Sequence, residues 1–599
     1  MQDTVSKSNV LHGGAFLIQD STPAQTFIPE EFNEEQRMVE AMVKDFIKNE
    51  IDPIRAKIEK QEGNIAVELL EKAGELGILG SHMPEQYGGM AMDTNTNTLL
   101  AETFGPGGSW IVAYAAHTGI GMLPILYFGT DAQKEKYLPG LITGALKASY
   151  CLTEPSSGSD ALAAKTKAEL NEAGTHYVLN GQKMWITNAG FADVFIVFAQ
   201  VDGDKFTGFI VEKGAEGLTL GAEEDKLGIK GSSTRQVFFE NVEVPVENIL
   251  GEIGKGHLIA FNSLNDGRFK LGAMCIGGAK GSADLAVKYA NERKQFKVPI
   301  SSFGVIKQKI ARQFTTTFAA ESAQYRTSQL MQVKKAELVA SGEDFASAKL
   351  KAADEYAIEC AILKVAGSEA LDFVVDETVQ IHGGMGYSEE GLPARAYRDA
   401  RINRIFEGTN EINRLLSIDM LLKRAMKGRL DIVGPAWEVQ KELASMPSME
   451  LPTGTYGKEY KALKDFKKLV LMVAGAAAKM QMDGQLDLKT EQEIITNVAD
   501  MLMDVFIAES TLLRVDKLSG MTKETPQEVY DAMLKILMHD YTFRMQRNAT
   551  DALASFSGGD LLKTMLMGVK RYTKYSPQNV KALGRTIADY AIEENGYTL

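Results

Sequence analysis

Between Pro299 and Pro393 the chain contains no proline, so every residue there can donate its backbone N–H and none forces a kink. Long helices packed as a bundle are the expected outcome, with helical texture starting near Gly256. A change of period precedes this bundle. Short β-like runs at 147–152, 176–179, 194–201, 207–211 and 236–239 alternate with Gly, Asn and Asp, as in a small, mainly antiparallel β domain. Further upstream, Asn33 with Gln36 three places on makes a capping-box pattern ahead of Met38, Met42, Val43, Phe46 and Ile47 at helical spacing. Helical patterns recur over 67–79, 97–104 and 109–128. The order is helices, strands, helices, an α+β chain that is mainly α.

At 599 residues several cores are needed. The expected division is a loosely ordered tail over 1–30, an N-terminal helical domain over 31–145, a β domain over 146–255, a helical bundle over 256–427 and an appended helical domain over 428–599. That last part opens with a linker marked by Pro435, Pro447 and Pro452, then carries amphipathic segments at 466–482, 491–513 and 527–543. It reads as a helical cover or subunit contact. Lys467, Lys468, Lys570, Arg571 and Lys574 beside apolar helices also allow a membrane-surface role.

A net charge of −14 with no broad basic face argues against a nucleic-acid partner. Cys151, Cys275 and Cys360 are widely separated and read as buried thiols of a reducing compartment. Seven scattered histidines show no ligand spacing, so no metal site is expected. Residues 1–20 lack a basic region followed by an apolar one, and no run approaches the length of a spanning helix, so a cytoplasmic location is expected. No strand-GxGxxG-helix unit precedes an acidic residue, which excludes a Rossmann site.

The candidate chemistry centres on Arg398 to Arg414. A basic helix-like run (Arg398, Arg401, Arg404) breaks at Phe406-Glu407-Gly408-Thr409, and a second run follows with Ile412, Leu415 and Leu416 on its apolar side. Gly408 permits close approach of another molecule to the backbone, and Thr409 and Asn410 can cap the next helix. A carboxylate at such a break suits a base held rigidly beside a substrate; balancing a helix dipole is the simpler reading.

This stretch resembles the catalytic segment of the acyl-CoA dehydrogenase family, and further motifs agree with it in order and spacing. The resemblance implies that Glu407 removes the α-proton of an acyl-CoA thioester while the β-hydrogen leaves as hydride to FAD. The segment Tyr150-Cys-Leu-Thr-Glu-Pro-Ser-Ser-Gly-Ser-Asp160 resembles the family's first flavin signature. By that likeness Tyr150, Leu152 and Thr153 contact the isoalloxazine and Ser159 meets the CoA portion. Asn180-Gly-Gln-Lys-Met-Trp185-Ile-Thr187 resembles the second, with Trp185 against the flavin and Thr187 near N5. Leu264-Asn-Asp-Gly-Arg-Phe269 implies Asn265 and Arg268 beside the substrate, as does Gly408, and its form is similar to the very-long-chain subgroup. Ala115, Ala116 and Gly119 are then the small residues that lengthen the acyl pocket. Arg293 and Phe296 resemble the segment that reaches a neighbouring subunit's flavin. Gln380, Gly383 and Gly384 resemble the turn receiving its pyrophosphate, with His382 merely packed. Thr409 and Glu411 are expected near the cofactor. Two departures stand out: Lys307, with Gln308 one place later, and Glu411 occupy positions where relatives commonly carry glutamine.

The same resemblance implies a homodimer, an electron-transfer flavoprotein as acceptor and an acyl-CoA substrate. An acyl-CoA oxidase shares the fold and the base, and peroxide formation in air separates the two. A catalytically idle assembly relative is the other alternative, disfavoured by retention of Glu407 with the flavin motifs.

Overall fold

The computed structural model describes residues 11–443, 445 and 453–599. Residues 1–10 of the expected tail, and Pro447 and Pro452 of the expected linker, lie outside the described residues. The helix Glu34–Phe46 starts where the capping box places it: Asn33 Oδ1 accepts from Gln36 N at 2.9 Å and Gln36 Oε1 accepts from Asn33 N at 3.1 Å. The helical run continues through Thr94–Phe104 and Trp110–Phe128. Contrary to the sequence expectation, Trp110–Phe128 is long and apolar enough to cross a membrane by length and composition, but 61% of it is buried inside the protein. It is a core segment, interrupted by a wide turn at His117–Gly121 and anchored by Phe104 and Tyr114 rings 4.7 Å apart.

Eight strands form the middle sheet: β1 Ala148–Cys151, β2 Lys167–Leu170, β3 His176–Thr187, β4 Val194–Val201, β5 Lys205–Glu212, β6 Leu218–Glu223, β7 Thr234–Pro245 and β8 Ile249–Leu250. Their order is β6-β7-β3-β2-β4-β5-β8, with β1 beside β4; β1 and β2 run parallel to β4 and the other pairs are antiparallel. β2 has three of its four residues exposed, and β6 has no buried residue, so neither carries the buried apolar face of the other long strands.

The bundle is built on Gly256–Glu292, Gly304–Ala340 and Ala357–His382, with Phe345–Glu355 between the last two. Its first helix touches the N-terminal domain backbone to backbone: a Cβ on Gly277 would stand 1.7 Å from Glu102 O. That close crossing is why glycine fits there.

The tail expectation is corrected over 11–30. Tyr356 OH donates to Leu11 O at 2.9 Å, Gly14 N donates to Glu359 at 2.7 Å, and Glu30 pairs with Arg514 at 2.8 Å. Phe16 is buried against Phe506. Three short 3₁₀ turns at Ala15–Leu17, Pro23–Gln25 and Pro29–Glu31 carry this segment, too brief to print a helical period. It straps the bundle to the appended helices Gly457–Met482, Gln492–Ser519 and Gln527–Phe556.

Those appended helices share one hydrophobic core with the bundle. The helix Val580–Glu593 returns onto Gly304–Ala340, where Asp589 pairs with Lys307. Several basic residues offered for a membrane surface are used internally. Lys467 is buried on Glu509 at 2.6 Å, and Lys468 and Arg571 both pair with Glu442, at 2.7 and 3.2 Å.

Candidate active site

After the helix Leu392–Ala400 and a 3₁₀ turn at Arg401–Arg404, the chain reverses through two left-handed residues, Glu407 (φ 60°) and Gly408 (φ 78°). A non-glycine residue in that region costs about 1 kcal/mol or more, so surrounding bonds must impose it. Thr409 Oγ1 accepts from Ile412 N at 3.2 Å and starts the helix Asn410–Met426. Asn413 Nδ2 donates to Gly408 O at 2.8 Å, and Arg268 Nε donates to Glu407 O at 3.1 Å. Arg268 also donates to Asn265 Oδ1 at 3.0 Å. Arg268 and Asn265, expected beside the substrate, are buried and hold the Glu407 loop through Arg268. The buried face of the following helix runs through Asn410, Asn413, Ser417, Ile418 and Leu421, offset from Ile412, Leu415 and Leu416, because the loop's carbonyls draw Asn413 inward and Lys364 and Ser368 of Ala357–His382 draw Asn410 inward.

The Glu407 carboxyl faces the cavity with Oε2 buried and without a hydrogen-bond partner among the described residues. A Cβ on Gly267 would stand 2.8 Å from that oxygen, so glycine there leaves the carboxyl its room. Burial pushes the Glu407 pKa up to about 7, opposed by the charges of Arg268 and Lys364. Lys364 was not singled out from the sequence. It is fully buried, donates to Asn410 Oδ1 at 2.7 Å and is itself pushed down to about 8, chiefly by burial. Its only sequence signal is a lone lysine inside the apolar run Ala361-Ile-Leu-Lys-Val-Ala366.

On the sheet side, Met184 N donates to Thr153 O at 2.9 Å, joining the two expected flavin segments. Trp185 sits at an irregularity of β3 with φ 58° and is 61% exposed, so its indole is free to stack on a flat group. Thr187 ends the strand and lines the same cavity as Glu407. Tyr150 points into the core beside Phe198, with its OH donating to Ala260 O at 3.4 Å, which leaves its backbone rather than its ring for a ligand. Leu152 is half-buried, and Ser159 lies exposed on the turn after β1.

A second group lies on an outer edge. Arg293 follows the helix Gly256–Glu292, Phe296 is 89% exposed at φ 53°, and Gln380, Gly383 and Gly384 are exposed at the end of Ala357–His382. Tyr289 connects the two pieces: its ring stacks on His382 at 4.0 Å and its OH donates to His382 O. His382 is packed, as expected. A Cβ on Gly383 or Gly384 would meet nothing within 4 Å, so the turn is open to an approaching group. Lys307 is held by Asp589 of the appended domain, and Glu411 is exposed, its carboxylate favoured by backbone and Thr409 hydrogen bonds at the helix start.

Glu407 closes one end of a cavity of about 270 Å³. Gly267, Leu271, Met274, Gly278, Ser282 and Leu285 line it along one stripe of Gly256–Glu292. At ~1.5 Å rise per residue that stripe is ~27 Å long. Ala115, Ala116 and Gly119, the small residues expected to lengthen it, are all in its wall.

Family models match the chain in consecutive segments. The acyl-CoA dehydrogenase N-terminal domain matches residues 33–145, the middle domain 149–242 and the C-terminal domain 254–422. The chain belongs to the acyl-CoA dehydrogenase family. A further acyl-CoA dehydrogenase C-terminal domain model matches 465–571, inside the appended helices. A probable acyl-CoA dehydrogenase of Bacillus subtilis is 46% identical over 595 residues, 99% of each chain. The human mitochondrial very long-chain specific acyl-CoA dehydrogenase is 40% identical over 420 residues, 67% of this chain and 60% of that protein. Among solved structures, an acyl-CoA dehydrogenase from Bacillus anthracis complexed with FAD superposes with a TM-score of 0.95 at 45% identity, covering 98% of this chain and all of its own (100%).

Proposed function

We propose that this acyl-CoA dehydrogenase converts long-chain fatty acyl-CoA to trans-2-enoyl-CoA within fatty acid β-oxidation, with Glu407 as the base. The observation that carries the reading is a raised-pKa carboxyl, its Oε2 without a partner among the described residues, at the head of a narrow apolar channel ~27 Å long by helix rise. Extended alkyl chains advance somewhat less than their ~1.5 Å bond length per carbon, so the channel matches a chain of roughly twenty carbons.

FAD is the cofactor, and when bound it supplies the acceptor for the β-hydride. Trp185 offers it a stacking face, and at the open Gly383-Gly384 turn the Gly384 N–H, which donates to no carbonyl among the described residues, points to a place for its phosphates. Glu407 takes the α-proton; a carboxyl poised near neutrality can accept it at working pH. Enolate charge then develops on the thioester oxygen, and the Glu407 N–H, which donates to no carbonyl among the described residues, is the chain's own donor toward it. Arg268 and Asn413 keep the reversed loop fixed while this happens.

The outer-edge group of Arg293, Phe296, Gln380, Gly383 and Gly384 supports a homodimer in which each edge completes the partner's flavin site. An electron-transfer flavoprotein is the proposed acceptor, and the cytoplasm the proposed location. Anaerobic titration of the FAD-loaded protein with acyl-CoAs of increasing length tests the reading. Bleaching of the flavin band that strengthens toward long chains supports it, and a flavin that no acyl-CoA bleaches overturns it.

A further inference from the structure

The appended helices reach the base loop through one line of polar side chains. It starts on Gln492–Ser519, where Asp500 Oδ1 accepts from Arg414 Nε at 2.7 Å. Arg414 lies on the helix that follows Glu407 and also donates from both terminal nitrogens to Glu369, at 2.8 and 3.1 Å. Glu369 Oε1 in turn accepts from Asn410 Nδ2 at 3.1 Å, and Asn410 Oδ1 accepts from Lys364 Nζ at 2.7 Å. Asn410 is the first residue of its helix, three places after Glu407. Lys364 is one of the two charges that favour the ionised form of Glu407. Donors and acceptors thus run without a break from the appended domain to the base loop.

Stability is a poor account of these contacts. The Glu369 and Asp500 side chains are 39 and 22% exposed, and ion pairs so open to water add little to folding. Orientation is the better account. The guanidinium fork is planar, so the bond from Nε to Asp500 fixes the plane in which the other two nitrogens meet Glu369. Glu369 accepts from the amide nitrogen of Asn410, which turns the amide oxygen toward Lys364. Lys364 Nζ has no other hydrogen-bond partner among the described residues, so its charge sits where Asn410 holds it. Other charged groups face the two ends of the line. Asp504, Asp540, Tyr541 and Arg544 surround the appended end, with Asp504 pushed up to about 7 by burial and paired to Arg544 at 2.9 Å. Arg268, Glu411 and Cys275 face Lys364, and Arg268 and Tyr150 face Glu407.

We propose that Asp500 of the appended helices is a positioning residue for the Glu407 base, acting through Arg414, Glu369, Asn410 and Lys364. The inference rests on reading Glu407 as the base and goes beyond it, because it makes the appended domain part of the catalytic apparatus rather than a cover. With Asp500 gone, the Arg414 fork turns, Glu369 loses its fixed plane, Asn410 loses its orientation and the Lys364 charge is held less firmly. The ionised Glu407 is then less favoured, and the pH at which it becomes active rises. Two rival effects carry different signatures. The bare loss of a negative charge favours the ionised base and moves that pH down. A purely structural loss lowers the melting temperature and leaves that pH in place.

The test follows flavin bleaching by a long-chain acyl-CoA in single anaerobic turnovers of the FAD-loaded full chain across the pH range, with melting curves alongside. Asp500→Ala is expected to move the rising limb up by about half a pH unit, a roughly threefold slowing below the limb with the plateau kept. Asp500→Glu, which keeps a carboxylate for Arg414, should move it less. Asp516→Ala is the control on the same helix: Asp516 accepts from Tyr460 OH at 2.6 Å, outside this line, and its loss should leave the limb in place. A limb that stays or moves down in Asp500→Ala overturns the inference, and so does an equal rise in Asp516→Ala, which marks general loosening of the helix. Should Asp500→Ala fail to fold, Asp500→Asn, which keeps the shape, is read by the same rule. If the unaltered enzyme itself shows no rising limb near neutrality, the reading of Glu407 as the base falls and the inference with it. If that limb is present and only the Asp500 shift is missing, the positioning role alone falls.

Discussion

Gly278→Leu should shorten the substrate range without touching the chemistry. Gly267 marks the position of the proposed base, because a Cβ on it would stand 2.8 Å from the Glu407 carboxyl. Gly278 lines the same channel ~16 Å further along the helix at ~1.5 Å per residue. A Cβ there would stand 3.1 Å from Leu371 Cδ1, a flexible side-chain end able to give by a few tenths of an ångström, so the fold should tolerate the change. The leucine then occupies the space that the distal part of a long chain fills. If about four methylenes are denied burial at ~0.8 kcal/mol each, the loss is ~3 kcal/mol, or roughly two hundredfold in kcat/KM. Acyl chains of about twelve carbons or fewer, which end before the block by the same carbon spacing, should keep their rates. The assay is kcat/KM across a series of saturated acyl-CoAs with a dye acceptor, alongside a melting curve. Equal slowing of short and long substrates at unchanged melting temperature would refute the channel assignment.

Activity should rise with pH through about 7 and then level, because the base works only when ionised and burial holds its pKa up; a rate independent of pH between about 6 and 8 contradicts this. Lys364→Met removes a charge that favours the ionised form, so the rising limb should move to higher pH, and a limb that stays in place or moves down would show Lys364 to be structural only. Trp185→Ala alters a side chain that is 61% exposed, so stability should change by less than about 0.5 kcal/mol while retention of flavin through gel filtration falls several-fold; undiminished retention removes the indole from the cofactor site.

The domain order and the reversed loop at Glu407 were legible because each leaves a local mark. Proline-free helical stretches, alternating strands, the Asn33 capping box and the Glu407-Gly408-Thr409 break are all set by backbone chemistry within a few residues. What the sequence hid depends on distant partners. The segment 11–30 lacks periodicity, yet Arg326, Glu359 and Arg514 wait for its Ser21, Gly14 and Glu30 across the bundle. Arg268 bonds to Glu407 O, 139 residues away, a contact that its local pattern does not announce. Lys364, Arg414 and Asp500 come from separate helices, so nothing in their spacing foretells that one line of hydrogen bonds joins them.

The central claim is that Glu407 is the base that starts the oxidation. Stopped-flow mixing of a long-chain acyl-CoA with FAD-loaded Glu407→Gln under anaerobic conditions tests it most directly, since the amide keeps the shape and removes the basicity. The flavin should stay bound and keep its colour, with bleaching slowed by about four orders of magnitude or more, at the upper end of what general-base catalysis contributes. Bleaching at a rate close to that of the unaltered protein would contradict the assignment.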